Sequence, residues 1–162
     1  MGDLTVADFE KSLRVRKIKN GTVIDHISSG NALNVLKIAG ITGKEGMILS
    51  IAMNVPSGKH NDLKDVVKIE NKELVPEEIN RVALISPNAT INIIRNYEVI
   101  QKFKVALEEK IEGVIKCMNP NCITNSNEPV KSLFKIETTN PVSLRCFYCD
   151  RIMSYNDIVK QF

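Results

Sequence analysis

Residues 14–40, RVRKIKNGTVIDHISSGNALNVLKIAG, place two β-like runs and a helix in succession. RVRKIK and GTVIDHI meet at Asn20-Gly21, a pair that accommodates the positive φ of a tight hairpin turn, so two antiparallel strands are predicted. SSGNALNVLKIAG then offers Ser29 as an N-cap, apolar residues at Leu33, Leu36 and Ile38, and Gly40 where a helix would stop. GTVIDHI also sets Asp25 beside His26, which suggests acid/base chemistry. Successive strand side chains point to opposite faces, however, so adjacent residues are poorly placed to form one hydrogen-bonded dyad.

Working outward, MILSIAMNV alternates Met47, Leu49, Ile51, Met53 and Val55 with smaller or polar residues and reads as a well-buried strand. PSGKHND is a loop and DVVKIE another strand. VPEEINRVALI predicts a helix with Pro76 in its first turn, acidic residues at its start and Ile79, Val82, Ala83 and Ile85 along one side. ATINIIRN and YEVIQKFKV return to β structure. The order ββαββαβ is a ferredoxin-like α+β pattern with an extra hairpin strand, in which a sheet carries two helices on one face.

Beyond ALEEKIEG the composition changes, and all four cysteines and half the prolines lie there. The chain therefore divides into a loose N-terminal arm (1–12), an ordered α+β domain (13–104), a charged linker (105–112) and a tail (113–162). That tail is too small to be stable on its hydrophobic core alone and needs a staple. Cys117-Met-Asn-Pro-Asn-Cys122 and Cys146-Phe-Tyr-Cys149 supply one. Each short loop presents two thiolates, and two such loops facing each other complete a tetrahedral site suited to zinc or iron. With four protein ligands no position stays open for substrate, so the metal is expected to be structural. Reduced cysteines without metal, or a disulfide pair, are the plainer alternatives. The runs GVIKC, VKSLFKIE, VSLRC and RIMSYNDIV fit a small antiparallel β zinc-binding domain.

Composition narrows the function. The chain has 162 residues, 43% of them hydrophobic, and 22 basic against 19 acidic residues for a formal charge of +3. Bulk electrostatics therefore does not call for a nucleic-acid or membrane partner. The charged N-terminus lacks the apolar core of a signal peptide and no apolar run approaches a membrane span, so a cytoplasmic protein is expected. GITGKEG has the wrong spacing for a phosphate loop, with Glu45 where Ser or Thr would hold magnesium. His60 lies in a polar loop and reads as surface. Lys64, Val66 and Lys68 share a strand face and fit a solvated edge strand protected by lysines; Tyr97 and Val99 fit sheet packing. The tail holds few aromatic candidates for stacking on bases, which disfavours a zinc-ribbon nucleic-acid binder. No nucleophile joins Asp25 and His26, which disfavours a hydrolase.

GTVIDHI, NVPSGKHNDLKDVVKIENKEL, PNATINIIRNYEV and CMNPNC with CFYC, in this order, resemble the regulatory chain family of aspartate carbamoyltransferase, from about residue 13 to the C-terminus. The resemblance implies a non-catalytic subunit that binds nucleoside triphosphates (CTP, ATP, UTP) in its N-terminal domain, pairs as a homodimer and joins catalytic trimers through a domain with one structural Zn2+. By motif it places Asp25 near the ribose, His26 near the phosphates, Lys68 at ribose and base, and Lys102 at the phosphates. The backbone around Ile18 and Tyr97 would read the base edge, Val15, Val66, Asn92, Ile94 and Val99 would line the pocket, and Lys64 would border it. Asn119, Asn121 and Asp150, beside the cysteines, would face the catalytic chain. Regular alternation does not put Tyr97 and Lys102 on one face, so a bulge or strand end must intervene.

Overall fold

The structure, a computed structural model, describes residues 16–58 and 62–162. Val15, His60 and the N-terminal arm read at 1–12 lie outside the described residues. The first unit runs β1 (Gly21–Ser28), α1 (Ala32–Ile38), β2 (Leu49–Pro56), β3 (Leu63–Glu70), α2 (Pro76–Ile85), β4 (Thr90–Arg95) and β5 (Glu98–Lys104). Its strands form one sheet in the order β2-β3-β1-β4-β5, with every neighbour antiparallel. The two-residue alternation of the inner strands, interrupted in β1 by a bulge between Ile24 and Ile27, explains the layering. Ile24 and Ile27, Val67 and Ile69, and Ile91 and Ile93 are buried in one core with Val35 and Leu36 of α1 and Val82 and Ile85 of α2.

The extra strand expected at RVRKIK is not formed in its described residues, whereas ATINIIRN and YEVIQKFKV supply β4 and β5. Among the described residues 16–20 none is in a strand, and β1 pairs with β3 and β4 instead of a preceding hairpin partner. Gly21 serves close approach: at φ +137° a Cβ there would meet the Ile69 carbonyl oxygen at 2.0 Å. The hairpin turn is Asn96-Tyr97, both at positive φ (49° and 67°), which turns β4 into β5.

Two further expectations change. MILSIAMNV forms β2, an edge strand whose Ile51 and Met53 are 41% and 37% exposed, because the apolar alternation marks a strand without saying how many neighbours cover it. Ser29 is not the N-cap of α1, which begins at Ala32 with Asn31 at the cap position. The Ala32 amide is satisfied from afar, by Asp65 Oδ2 at 3.0 Å. The buried stripe is Ala32, Val35, Leu36 and Ile38, and Leu33 is exposed. Helix α2 follows the sequence closely: Pro76 opens it, Glu78 accepts from the Val75 amide at 3.0 Å, and Ile79, Val82, Ala83 and Ile85 are all buried.

The second unit runs β6 (Lys110–Glu112), a 3-10 turn (Ile123–Asn125), β7 (Leu133–Thr139), β8 (Val142–Cys146), β9 (Ile152–Met153) and α3 (Tyr155–Val159). Its sheet order is β6-β7-β8-β9. Residues 110–112, inside the segment read as linker, pair with β7, whereas GVIKC forms no strand. RIMSYNDIV also divides. Only Ile152 and Met153 are β, because Ser154 and Asp157 cap each other reciprocally and start a helix at Tyr155. The whole is α+β, two antiparallel sheets with three α-helices among the described residues.

Candidate functional site

The sheet face opposite the helices gathers the charged and polar residues. Lys68 of β3 stands opposite Val23 of β1, Val23 opposite Asn92 of β4, and Asn92 opposite Lys102 of β5, so one row crosses four strands. Two residues along, Asp25 stands opposite Thr90 and Thr90 opposite Lys104. In the other direction lie Ile94 and Val99. Lys104 was not singled out from the sequence; its spacing of two from Lys102 was the available signal.

Two bulges aim this face. In β5, Val99 pairs with Ile94 while Gln101 pairs with Ile93, so Ile100 is the extra residue that returns Val99 and Lys102 to one side. Tyr97 itself sits in the turn, 58% exposed, its amide donating to the Lys19 carbonyl at 2.9 Å. In β1 the register shifts between Ile24 and Ile27, and His26 adopts φ +56°. Strict alternation therefore fails at Asp25-His26. The His26 amide donates to Asp25 Oδ1 at 2.7 Å, and its Nδ1 lies 3.6 Å from Asp25 Oδ2.

Lys64 Nζ reaches Asp25 Oδ1 at 2.7 Å, so the carboxylate stands between histidine and lysine. Strand β3 is interior, not the solvated edge that its lysines suggested. Lys68 is 7% exposed and donates to the Arg16 carbonyl, and burial pulls its pKa below the ordinary lysine value. Ile18, Val66 and Ile94 are buried, whereas Val99 and Lys102 are exposed. Such a face can hold an extended anion that also carries hydroxyl groups: lysines neutralise phosphates as point charges, and a carboxylate accepts from hydroxyls.

The second constellation is the thiolate cluster. Cys117 and Cys149 Sγ lie 3.5 Å apart, Cys122 and Cys146 Sγ 3.8 Å, and all four lie within 4.8 Å of one another. A tetrahedron with metal–sulfur bonds of about 2.3 Å has edges of about 3.8 Å, so the donors fit one ion. The surrounding bonds hold the loops. Asn125 Nδ2 donates to the carbonyls of Cys117 (2.8 Å) and Asn119 (2.7 Å), and Thr124 Oγ1 donates to Cys122 Sγ at 3.2 Å. Burial pushes the Cys117 thiol up to about 12, while a backbone amide bond at Arg151 brings Cys149 down to about 7.

Beside the cluster, Asn119 is half-buried and Asn121 and Asp150 are exposed. The tail reads as holding few exposed aromatics, yet Phe147 and Tyr148 are 60% and 45% exposed and pack edge to face at 5.8 Å. The short Cys146–Cys149 loop turns both outward because it must turn the two thiols inward.

Among the described residues no helix is long and apolar enough to cross a membrane. Residues 13–106 match the family model described as aspartate carbamoyltransferase regulatory chain, allosteric domain, and residues 109–159 match that of its metal binding domain. The chain is 54% identical over 142 residues to the aspartate carbamoyltransferase regulatory chain of Methanothrix thermoacetophila, covering 88% of this chain and 92% of that one. It is 53% identical over 149 residues to the regulatory chain of Thermoplasma volcanium, covering 92% and 97%. With both models and these relatives matching along nearly its whole length, the chain belongs to the aspartate carbamoyltransferase regulatory chain family, the non-catalytic subunit of that enzyme.

Proposed function

We propose that the open face of the first sheet binds nucleoside triphosphates, CTP, ATP and UTP, and that their binding modulates the catalytic chains at the first committed step of pyrimidine biosynthesis. The observation that carries this reading is the row of Lys68, Val23, Asn92 and Lys102 across four strands, with Asp25 two residues along and the β5 bulge returning Val99 to the side of Lys102. Asp25 accepts from the ribose, His26 and Lys102 meet the phosphates, and Lys68 serves ribose and base. The backbone near Ile18 and Tyr97 reads the base edge. Val66, Asn92, Ile94 and Val99 line the pocket, and Lys64 borders it while holding Asp25. A nucleotide moves the enzyme between quaternary states only by binding one of them more tightly, with coupling of about 1–3 kcal/mol.

The units divide the work. The N-terminal unit up to residue 104 serves as the allosteric domain, 105–109 as the connection, and 110–162, with β6, as the domain that docks to the catalytic chain in the cytoplasm. Zn2+ suits the thiolate cluster: when bound it cross-links the two cysteine loops and carries no open position for chemistry. It thereby fixes the surface of Asn119, Asn121 and Asp150. Homodimerisation draws support from β2, which pairs only with β3 among the described residues and exposes Ile51 and Met53.

The test is calorimetric titration of the metal-loaded chain with CTP and ATP. Lys102→Ala removes one charge-assisted contact and is expected to weaken binding about tenfold or more. Absence of binding to the wild-type chain overturns the nucleotide assignment and leaves scaffolding as its role. Turnover of either nucleotide, lost in His26→Ala, would instead favour hydrolysis.

A further inference from the structure

We propose that a relay through Ser28, Ser86, Ile85 and Tyr155 couples the Asp25-His26 bulge to the metal-bearing unit; this rests on the nucleotide reading above. Ser28 is the last residue of β1, two beyond His26 in the bulged strand. Its amide donates to Ser86 Oγ at 2.9 Å, and the two hydroxyl oxygens lie 3.4 Å apart. Ser86 is fully buried and ends α2, its own amide donating to the Val82 carbonyl. The preceding carbonyl, that of Ile85, accepts the Tyr155 hydroxyl at 2.7 Å. Tyr155 opens α3, directly after β9, and β9 pairs with β8, which ends in Cys146. The path from phosphate-facing side chain to thiolate therefore uses four bonded segments and no gap.

The other cross-unit bonds differ in kind. Asn80 to Glu108 and Lys37 to the Phe162 carbonyl are solvent-exposed, where water replaces a lost partner at little cost. The Tyr155 bond is part-buried, and Ile85 is a helix-terminal carbonyl that would otherwise lack a partner. A cavity of about 200 Å³ lies beside it, lined by Ser28, Asn31, Ile85, Asn140, Pro141 and Tyr155. The buried apolar residues of the two units form one continuous core, and beside it the Tyr155 bond adds a directional polar tie between α2 and α3. Burial raises the Tyr155 pKa above the ordinary tyrosine value, so the donor proton is retained at neutral pH.

The experiment reconstitutes the holoenzyme with wild-type chain, Tyr155→Phe, Ser86→Ala and the double variant. It reads CTP and ATP affinity of each metal-loaded chain by calorimetry, and the shift in half-saturation of the catalytic reaction caused by each nucleotide. Tyr155→Phe keeps the ring and is expected to bind nucleotide within about twofold of wild type while its coupling factor falls at least about twofold. In the double variant the loss is expected not to exceed that of the larger single variant, since both break one path. An undiminished response in Tyr155→Phe, or losses that simply add, overturns the relay alone. A wild-type holoenzyme that does not respond to either nucleotide overturns the nucleotide reading and the relay with it. A variant that loses thermal stability but keeps full coupling shows a structural tie only, and also overturns the proposal.

Discussion

Stripping the metal with a strong chelator unfolds residues 110–162 and leaves the five-stranded unit folded. The second sheet has short strands, two of only three and two residues, and its buried core is essentially Ile111, Ile115, Phe134, Val142, Leu144, Met153 and Ile158. A core of that size leaves little net stability once chain entropy is counted. Metal binding to four thiolates supplies about 10–16 kcal/mol of apparent free energy at neutral pH, most of which is folding free energy. Cys146→Ser should act like the chelator, because Cys146 is fully buried in the last residue of β8. The expected readings are loss of amide protection confined to residues 110–162, and failure of the variant to join catalytic trimers on gel filtration. Ligand thiols must be deprotonated, so lowering the pH weakens the metal and reproduces the same partial unfolding. Normal assembly by Cys146→Ser would refute the organising role of the metal.

Asp65→Ala is expected to be the most damaging single change in the first unit outside its apolar core. The carboxylate is fully buried, and its two oxygens serve two different backbone amides: Oδ1 accepts from Asn54 at 2.8 Å and Oδ2 from Ala32 at 3.0 Å. One bond caps α1, and the other holds the β2 bulge at Asn54, whose φ is +56°. Alanine leaves both amides without a partner at about 1–3 kcal/mol each, which sums to about 2–6 kcal/mol. Set against a total of about 5–15 kcal/mol for a domain, this is a large fraction. Urea unfolding should show a much lower midpoint with an unchanged slope. Asp65→Asn keeps one acceptor oxygen and should lose less. A loss below about 1 kcal/mol for Asp65→Ala would mean that water replaces the carboxylate and that α1 needs no cap from β3.

The legibility of this chain follows the range of each signal. Helix α2 was readable because its evidence is local: Pro76 at the start, Glu77 and Glu78 in the first turn, and a helical apolar stripe. The cysteine set was readable because two short loops with thiols at both ends leave few other arrangements, and the four sulfurs do converge. Asn20-Gly21 misled for a physical reason. A glycine answers both to a turn and to close approach, and here the Ile69 carbonyl, forty-eight residues away in sequence, decides which. Asp65 gave no signal at all, since a buried carboxylate in a strand is recognisable only by the amides that it meets.

The residues themselves determined the two helices and the inner strands of the first unit, which face of each inner strand is apolar, and which four thiols converge on one site. Those properties depend on neighbours within a few positions and on chemistry that each side chain carries by itself. Only the tertiary structure decided that β2 lies at an edge, that residues 16–20 form no strand before β1, that a bulge at Ile100 returns Val99 and Lys102 to one face, and that Tyr155 bonds to Ile85 across the two units. A period of two reports the face of a side chain and is blind to its partner strand and register. Both are fixed by closing long loops between distant segments, and that choice is made by the whole packed sheet.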